Sequence, residues 1–153
     1  MDIVKEIRIA ADRKLVWKAW TESERITQWF APEAHIQPEV GGAFELYFNP
    51  GNKDVMSTKG CKFIRLNAPE TLAFEWKGPD PFAAVMNEAG NLTVVEVVLE
   101  KLDGGTAVRL RHSGWGDSAD FEQARAWHVE AWEQMLGSLK SSMEAGEGIL
   151  CCQ

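Results

Sequence analysis

The sequence predicts an α+β fold: a curved antiparallel sheet of about six to seven strands, with a long C-terminal helix lying across one face. Three observations carry this. Apolar and polar residues alternate over several short segments, the pattern of half-buried strands. Residues 119–144 instead repeat their apolar positions with helical period, over about 39 Å at 1.5 Å per residue. Two short helix signals fall between the first strand and the others. A helix that long, last in the chain, must cover a sheet face to bury its apolar stripe.

The first strand covers residues 3–10, with Ile3, Ile7 and Ile9 at its apolar positions. Asp12 is placed to cap a helix through LVWKAW. The TESE stretch at residues 21–24 has the form of a capping box and opens a second helix through RITQWF, which Pro32 ends. AFELYF alternates and is followed by the turn-rich NPGNKD, signalling an antiparallel hairpin into a long strand over residues 55–66, where Gly60 marks a bulge. NAPE turns the chain into TLAFEW, whose Leu72, Phe74 and Trp76 share a core-facing side. Residues 77–90, rich in Pro, Gly and Ala and without period, read as a rim loop. LTVVEVVLEK and TAVRLRHS form the clearest hairpin in the chain. Parity turns Val108, Leu110 and His112 inward there and leaves Arg109 and Arg111 on the solvated face. On the last helix, at about 100° per residue, Phe121, Ala124, Ala131, Trp132, Met135 and Leu139 lie within roughly 60° of His128, so that imidazole faces inward. Gly146 and Gly148 follow the helix end.

Composition narrows the function. A length of 153 residues fits one domain over residues 1–153, and folding at this size buries about 68 to 70% of the chain's surface, enough for a core with an internal pocket. With 45% hydrophobic and 25% charged residues, no apolar run of membrane-span length and no signal-peptide pattern in residues 1–10, a soluble cytoplasmic protein is expected. A net charge of −7, from 16 basic and 23 acidic residues without a basic cluster, argues against a nucleic-acid surface. Cys61, Cys151 and Cys152 lack zinc-ligand spacing, and His35, His112 and His128 lack the i, i+4 pairing of a helical metal site, so neither metal nor cofactor is expected. The odd cysteine count suits reduced thiols, and the terminal CCQ reads as a frayed tail. The Gly41-Gly42 and Gly104-Gly105 pairs lack phosphate-loop spacing, and there is no nucleophile elbow. No catalytic residue is assigned.

The ordered segments VWKAWTESERITQWFAP, VGGAFELYF, GCKFIRLNAPETLAFEW, GGTAVRLRHSGW and WEQMLGSLKSSMEAG resemble the family of proteins homologous to the activator of heat-shock protein 90 ATPase (AHSA-like). That family lies within the START-like (SRPBCC) superfamily, together with polyketide cyclases and the Bet v 1-like fold of the birch-pollen allergen. The resemblance covers nearly the whole chain and implies a helix-grip fold: a strongly bent sheet wrapped around the C-terminal helix, with a cavity between. The eukaryotic activator has an additional N-terminal domain for which this sequence has no counterpart, so the resemblance does not by itself imply a chaperone role. Family members often carry Gly before the tryptophan of the last helix, where this sequence has Ala131 before Trp132, a methyl group added beside the cavity.

Seven Trp and seven Phe are many for this length. Trp29, Phe30, Phe44, Phe74, Trp76, Trp115, Trp127 and Trp132 fall on segments that converge on the space between sheet and helix. Any one of them is most simply core filling, since aromatics dominate core burial; as a set they favour an apolar pocket with a few placed polar groups. His112 and His128 come from the last strand and the helix crossing it. Each alone would more commonly be satisfied within the core, yet two inward imidazoles favour polar contacts to a guest. The expected ligand contacts are Trp29, Phe44, Phe74, Trp76, His112, Trp115, His128, Trp132 and Met135, and the expected partner is a small hydrophobic or aromatic molecule, with a homodimer left open. Two other classes compete: a polyketide cyclase or aromatase in which a cavity histidine moves a proton, and a partner-binding, chaperone-associated module with an exposed apolar patch.

Overall fold

A computed structural model describes residues 1–146 of the chain, so Gly148, Cys151 and Cys152 lie outside the described residues. Strand β1 (Ile3–Ile9) leads into α1 (Arg13–Thr21) and the one-turn helix α2 (Ser23–Ile26). Strands β2 (Glu33–Ile36), β3 (Phe44–Tyr47), β4 (Phe63–Asn67) and β5 (Thr71–Trp76) follow, then a 3-10 turn (Asp80–Phe82) and α3 (Ala83–Met86), the hairpin β6 (Thr93–Leu102) and β7 (Gly105–Ser113), and finally α4 (Ala119–Ala145). Five strands form an antiparallel sheet in the order β1-β7-β6-β5-β4, while β2 and β3 pair as a separate ribbon. The α+β fold and the long closing helix are as the sequence predicts; the division of the seven strands into two sheets is not.

The caps explain where the helices begin. Asp12 accepts the Lys14 N–H at 2.8 Å, and Ser118 accepts the Phe121 N–H at 3.2 Å to start α4. Gly146 ends α4 in the left-handed region at φ 79°, where a residue without Cβ is at no disadvantage. The second helix departs from expectation. Thr21 belongs to α1, its hydroxyl donates to the Trp17 carbonyl at 2.9 Å instead of capping, and α2 stops at Ile26, so Trp29 and Phe30 sit in the turn beyond it. A threonine hydroxyl inside a helix commonly back-bonds to the carbonyl four residues earlier, which takes it away from capping the next helix.

The sheet edge departs further. AFELYF pairs backward with residues 33–36, a strand not predicted, instead of forward. To the following segment it makes no continuous ladder, only the isolated bridges Ala43 to Lys62 and Tyr47 to Ser57 with scattered hydrogen bonds around them, such as the Phe44 N–H to the Cys61 carbonyl at 2.8 Å and the Thr58 N–H to the Leu46 carbonyl at 3.0 Å. The expected strand over residues 55–66 begins only at Phe63: Gly60 takes φ 89° in a turn, and the irregularity in the ladder falls between Phe63 and Arg65. Residues 77–90, expected as loop, contain the 3-10 turn and α3.

On the inner face Leu72, Phe74, Val95, Val97, Val108 and Leu110 are buried against Ala124, Trp132, Leu136 and Leu139 of α4. The register sets His112 beside Val95, and His112 is buried as parity requires. On the outer face Arg109 bridges Glu6 and Glu100 at 2.8 and 2.6 Å across three strands.

Candidate functional site

The two inward imidazoles end 5.4 Å apart, ring planes perpendicular, where the end of β7 meets the first half of α4. Each holds a tryptophan. The Trp76 Nε1–H donates to His128 Nε2 at 3.1 Å, and the Trp132 Nε1–H donates to His112 Nδ1 at 2.9 Å. An indole N–H can only donate, so each receiving nitrogen carries a lone pair. The hydrogen therefore sits on the other nitrogen: His128 Nδ1 donates to the Ala124 carbonyl at 2.7 Å, and His112 Nε2 donates to Thr93 Oγ1 at 2.8 Å. All four ring nitrogens are engaged, with opposite tautomers on the two rings. Burial pushes His112 well below its ordinary value, the neighbouring His128 adding to the effect. Burial lowers His128 to about 4, against the upward pull of the Ala124 carbonyl. Protonating either ring would set a new N–H against an indole N–H, so geometry and desolvation both keep the pair neutral.

Beside this pair, at the end of the sheet where β3 and β5 run out, lies a narrow apolar slot of about 30 Å³. Its α4 wall is Trp127, His128, Ala131, Trp132 and Met135, and its other walls are Phe30, Phe48 and Trp76. The rim is Met56 and Ser57 on one side and residues 77–79 on the other. The wall rings also pack on each other, with Phe30 stacked on Trp76 at 5.8 Å and Trp76 tilted against Trp132 at 5.2 Å. A space this size admits about a water molecule.

Trp76, His128, Trp132 and Met135, of the expected contacts, line the slot. Trp29, Phe44 and Phe74 instead fill the core behind it: Phe44 stacks on Phe74 with centroids 3.7 Å apart, and the Trp29 indole donates to the Ala19 carbonyl at 3.0 Å. His112 lies behind Trp132, and Trp115 covers it from outside, donating to the His112 carbonyl at 3.0 Å with rings 4.5 Å apart. Trp127 does not turn into the core; it stands half in solvent at the mouth, 6.0 Å from Phe82. Phe48, Met56 and Lys77 are wall and rim residues that the pattern did not single out. Phe48 shares its strand face with Phe44 and Leu46, the one signal that could have found it. Among the described residues, no group of three or more His, Cys, Asp or Glu is placed to hold a metal ion.

A family description, Activator of Hsp90 ATPase homolog 1-like protein, matches residues 10–144. The chain belongs to that family. No curated protein matches it. Solved structures similar to this Hsp90-ATPase-activator-like chain include the Aha1 dimer of Colwellia psychrerythraea, 25% identical over 97% of this chain and 99% of that one, with a TM-score of 0.73. A Staphylococcus saprophyticus protein is 22% identical over 97% and 96% of the two chains, TM-score 0.74. An HSP90 activator of Plasmodium falciparum is 16% identical over 95% and 96%, TM-score 0.69, a likeness of fold alone. In this member of the Hsp90-ATPase-activator-like family, Ala131 puts its methyl on the slot wall one residue before Trp132. No helix among the described residues is long and apolar enough to cross a membrane.

Proposed function

We propose that this single-domain protein is a cytoplasmic receptor for a small hydrophobic or aromatic molecule, taken up between Phe30, Trp76 and Trp132. One observation carries the reading: the slot wall is built of rings and a methionine, and the polar atoms of its inner rings, Trp76, His128 and Trp132, are already paired within the protein. It offers a guest desolvation and dispersion, the properties of a small-molecule site. Drug-sized ligands occupy about 300 to 1,000 Å³, so uptake requires the rim and the Met56 and Met135 side chains to move outward. In this reading His128 acts by setting the plane of Trp76, and His112 that of Trp132. The cyclase alternative is disfavoured because a general base needs a free nitrogen near its working pH, and both rings are neutral with their nitrogens engaged.

Native mass spectrometry of freshly purified protein tests the proposal, with calorimetric titration of 2-naphthamide as a second arm. A co-purifying adduct of small-molecule mass, or saturable binding of the amide, supports it. Bare protein in the first and no heat of binding in the second would overturn it. A homodimer is a second reading, favoured by the likeness to the Colwellia Aha1 dimer; a sedimentation coefficient fitting one 17.1 kDa chain would remove it.

A further inference from the structure

Resting on that reading, we infer that the guest is an amphipathic monoanion, its flat apolar body in the slot and its acidic group at the mouth on the Lys77 ammonium.

The slot leaves few polar choices. His128 has both nitrogens engaged. The Ser57 hydroxyl donates to the Lys53 carbonyl at 2.7 Å and accepts the Lys59 N–H at 3.3 Å. Two polar groups of the lining remain, the Trp127 indole N–H, which stands half in solvent at the mouth, and the Lys77 ammonium, the one that carries charge. It also lines an adjoining polar hollow of about 460 Å³, which shares Met56 and Ser57 with the slot. The lysine thus spans the junction between an apolar and a polar compartment, its methylene stem suited to one and its charge to the other.

Its charge is unmatched. Lys59, the other ammonium of that hollow, is paired with Asp54 at 2.6 Å. Lys77 Nζ donates to the Lys59 carbonyl at 2.6 Å, and no carboxylate lies within 4.0 Å of it among the described residues. An ammonium carries three hydrogens, so two are left for another acceptor. The chain beside it is Gly60, whose missing side chain leaves Nζ room, a Cβ there standing 3.7 Å away; the nearby Glu45 carboxylate is engaged by the Gly60 N–H at 3.0 Å and by the Tyr47 hydroxyl. Asp80, the carboxylate of the hollow without a lysine partner, accepts the Met56 N–H at 3.2 Å and does not line the slot. The net charge of −7 opposes anions only weakly at this range, because charges more than about 8 Å away are largely screened at physiological ionic strength. Preference for an anion therefore arises locally, at Lys77, and is absent from a surface that is otherwise acidic.

Two near-isosteric probes, 2-naphthoate and its neutral amide, are titrated calorimetrically into the intact protein and into Lys77→Met, which keeps the stem and removes the charge. The expected result is about tenfold tighter binding of naphthoate than of naphthamide by the parent, with the ratio falling to about one in Lys77→Met. Lys59→Met, whose charge is already paired, keeps the ratio within about twofold of the parent. Equal affinity of the two probes for the parent, or a preference that survives Lys77→Met, overturns the inference while leaving the receptor reading intact. Binding of neither probe by the parent overturns the inference, and the receptor reading falls with it only where native mass spectrometry also shows bare protein. Should Lys77→Met fail to fold by circular dichroism, the parent decides alone: the naphthoate preference must fall as salt rises from about 20 to about 500 mM, and a salt-independent ratio rejects the role of the ammonium.

Discussion

Replacing His128 by Leu strands the Trp76 N–H in the core, because His128 Nε2 is its acceptor at 3.1 Å. The Ala124 carbonyl suffers less, since the helical N–H four residues on still reaches it. An unsatisfied buried donor costs about 1 to 3 kcal/mol, and the expected outcome is an unfolding free energy lowered by that amount, read as a lower urea midpoint at unchanged slope, with Trp76 released to another rotamer. His128→Gln, whose amide oxygen can accept in place of Nε2, should recover part of the loss. Equal midpoints for the parent and His128→Leu would show that the indole needs no acceptor there. The inward direction of this imidazole was legible from its helical position relative to Ala124, Trp132 and Met135. Its partner was not, because Trp76 lies 52 residues earlier on a strand and nothing in local spacing encodes that pairing. Cys61 is the simpler case: it lies between the Gly60 turn and β4, buried, with burial pushing its thiol up to about 12.

Among the elements, the rim over residues 77–90 combines little periodic pattern with a defined structure. Gly78 donates its N–H to Asn87 Oδ1 at 2.7 Å and accepts from Asn87 Nδ2 at 3.0 Å, so one side-chain amide ties the end of α3 to the end of β5. Met86 is buried beneath that tie and packs directly on Gly78, where a Cβ would meet its sulfur at 2.4 Å and force the Met86 side chain to shift. Asn87→Ala removes both bonds. We expect local opening of residues 78–87 to become about tenfold more frequent, read as faster amide exchange confined to that segment, while β6 and β7 keep their protection. Unchanged exchange there would mean that Met86 packing holds the rim without the amide. An Asn in a Gly- and Pro-rich stretch looks like ordinary turn chemistry, so the sequence shows the loop and conceals the clasp. The same limit hid β2: EAHI is four residues with only Ile36 fully inward, too short for a period-2 signal. The hairpin of β6 and β7 was plain because nineteen strand residues alternate around one tight turn.

For the whole molecule, the long-period features of the sequence set the fold, while depth within the core remained unreadable. Phe44 and Phe74 carry the same inward parity as Trp76, yet the first two fill the interior and the third lines the slot. Which ring is deepest depends on how far the bent sheet closes over α4, a property of all the strands together. The neutral histidine pair likewise belongs to the molecule as a unit, and it fixes how stability responds to pH. Both imidazoles have folded values below the ordinary 6.5, so between that value and their folded values the unfolded chain binds more protons than the folded one. Their contribution is complete above about pH 6.5 and is lost as pH falls toward 4. For His128 alone the interval corresponds to about 3 kcal/mol, and His112 acts in the same direction. Glu6 and Asp54, held below the usual carboxylate range by Arg109 and Lys59, lose their smaller surface contributions only at lower pH. Urea midpoints measured from pH 8 to pH 4 should therefore be level down to about 6.5 and then decline, well before the carboxylates protonate. A midpoint that stays constant from pH 7 to pH 5 would mean that the core holds charged imidazoles at no cost, which the two indole donors facing them forbid.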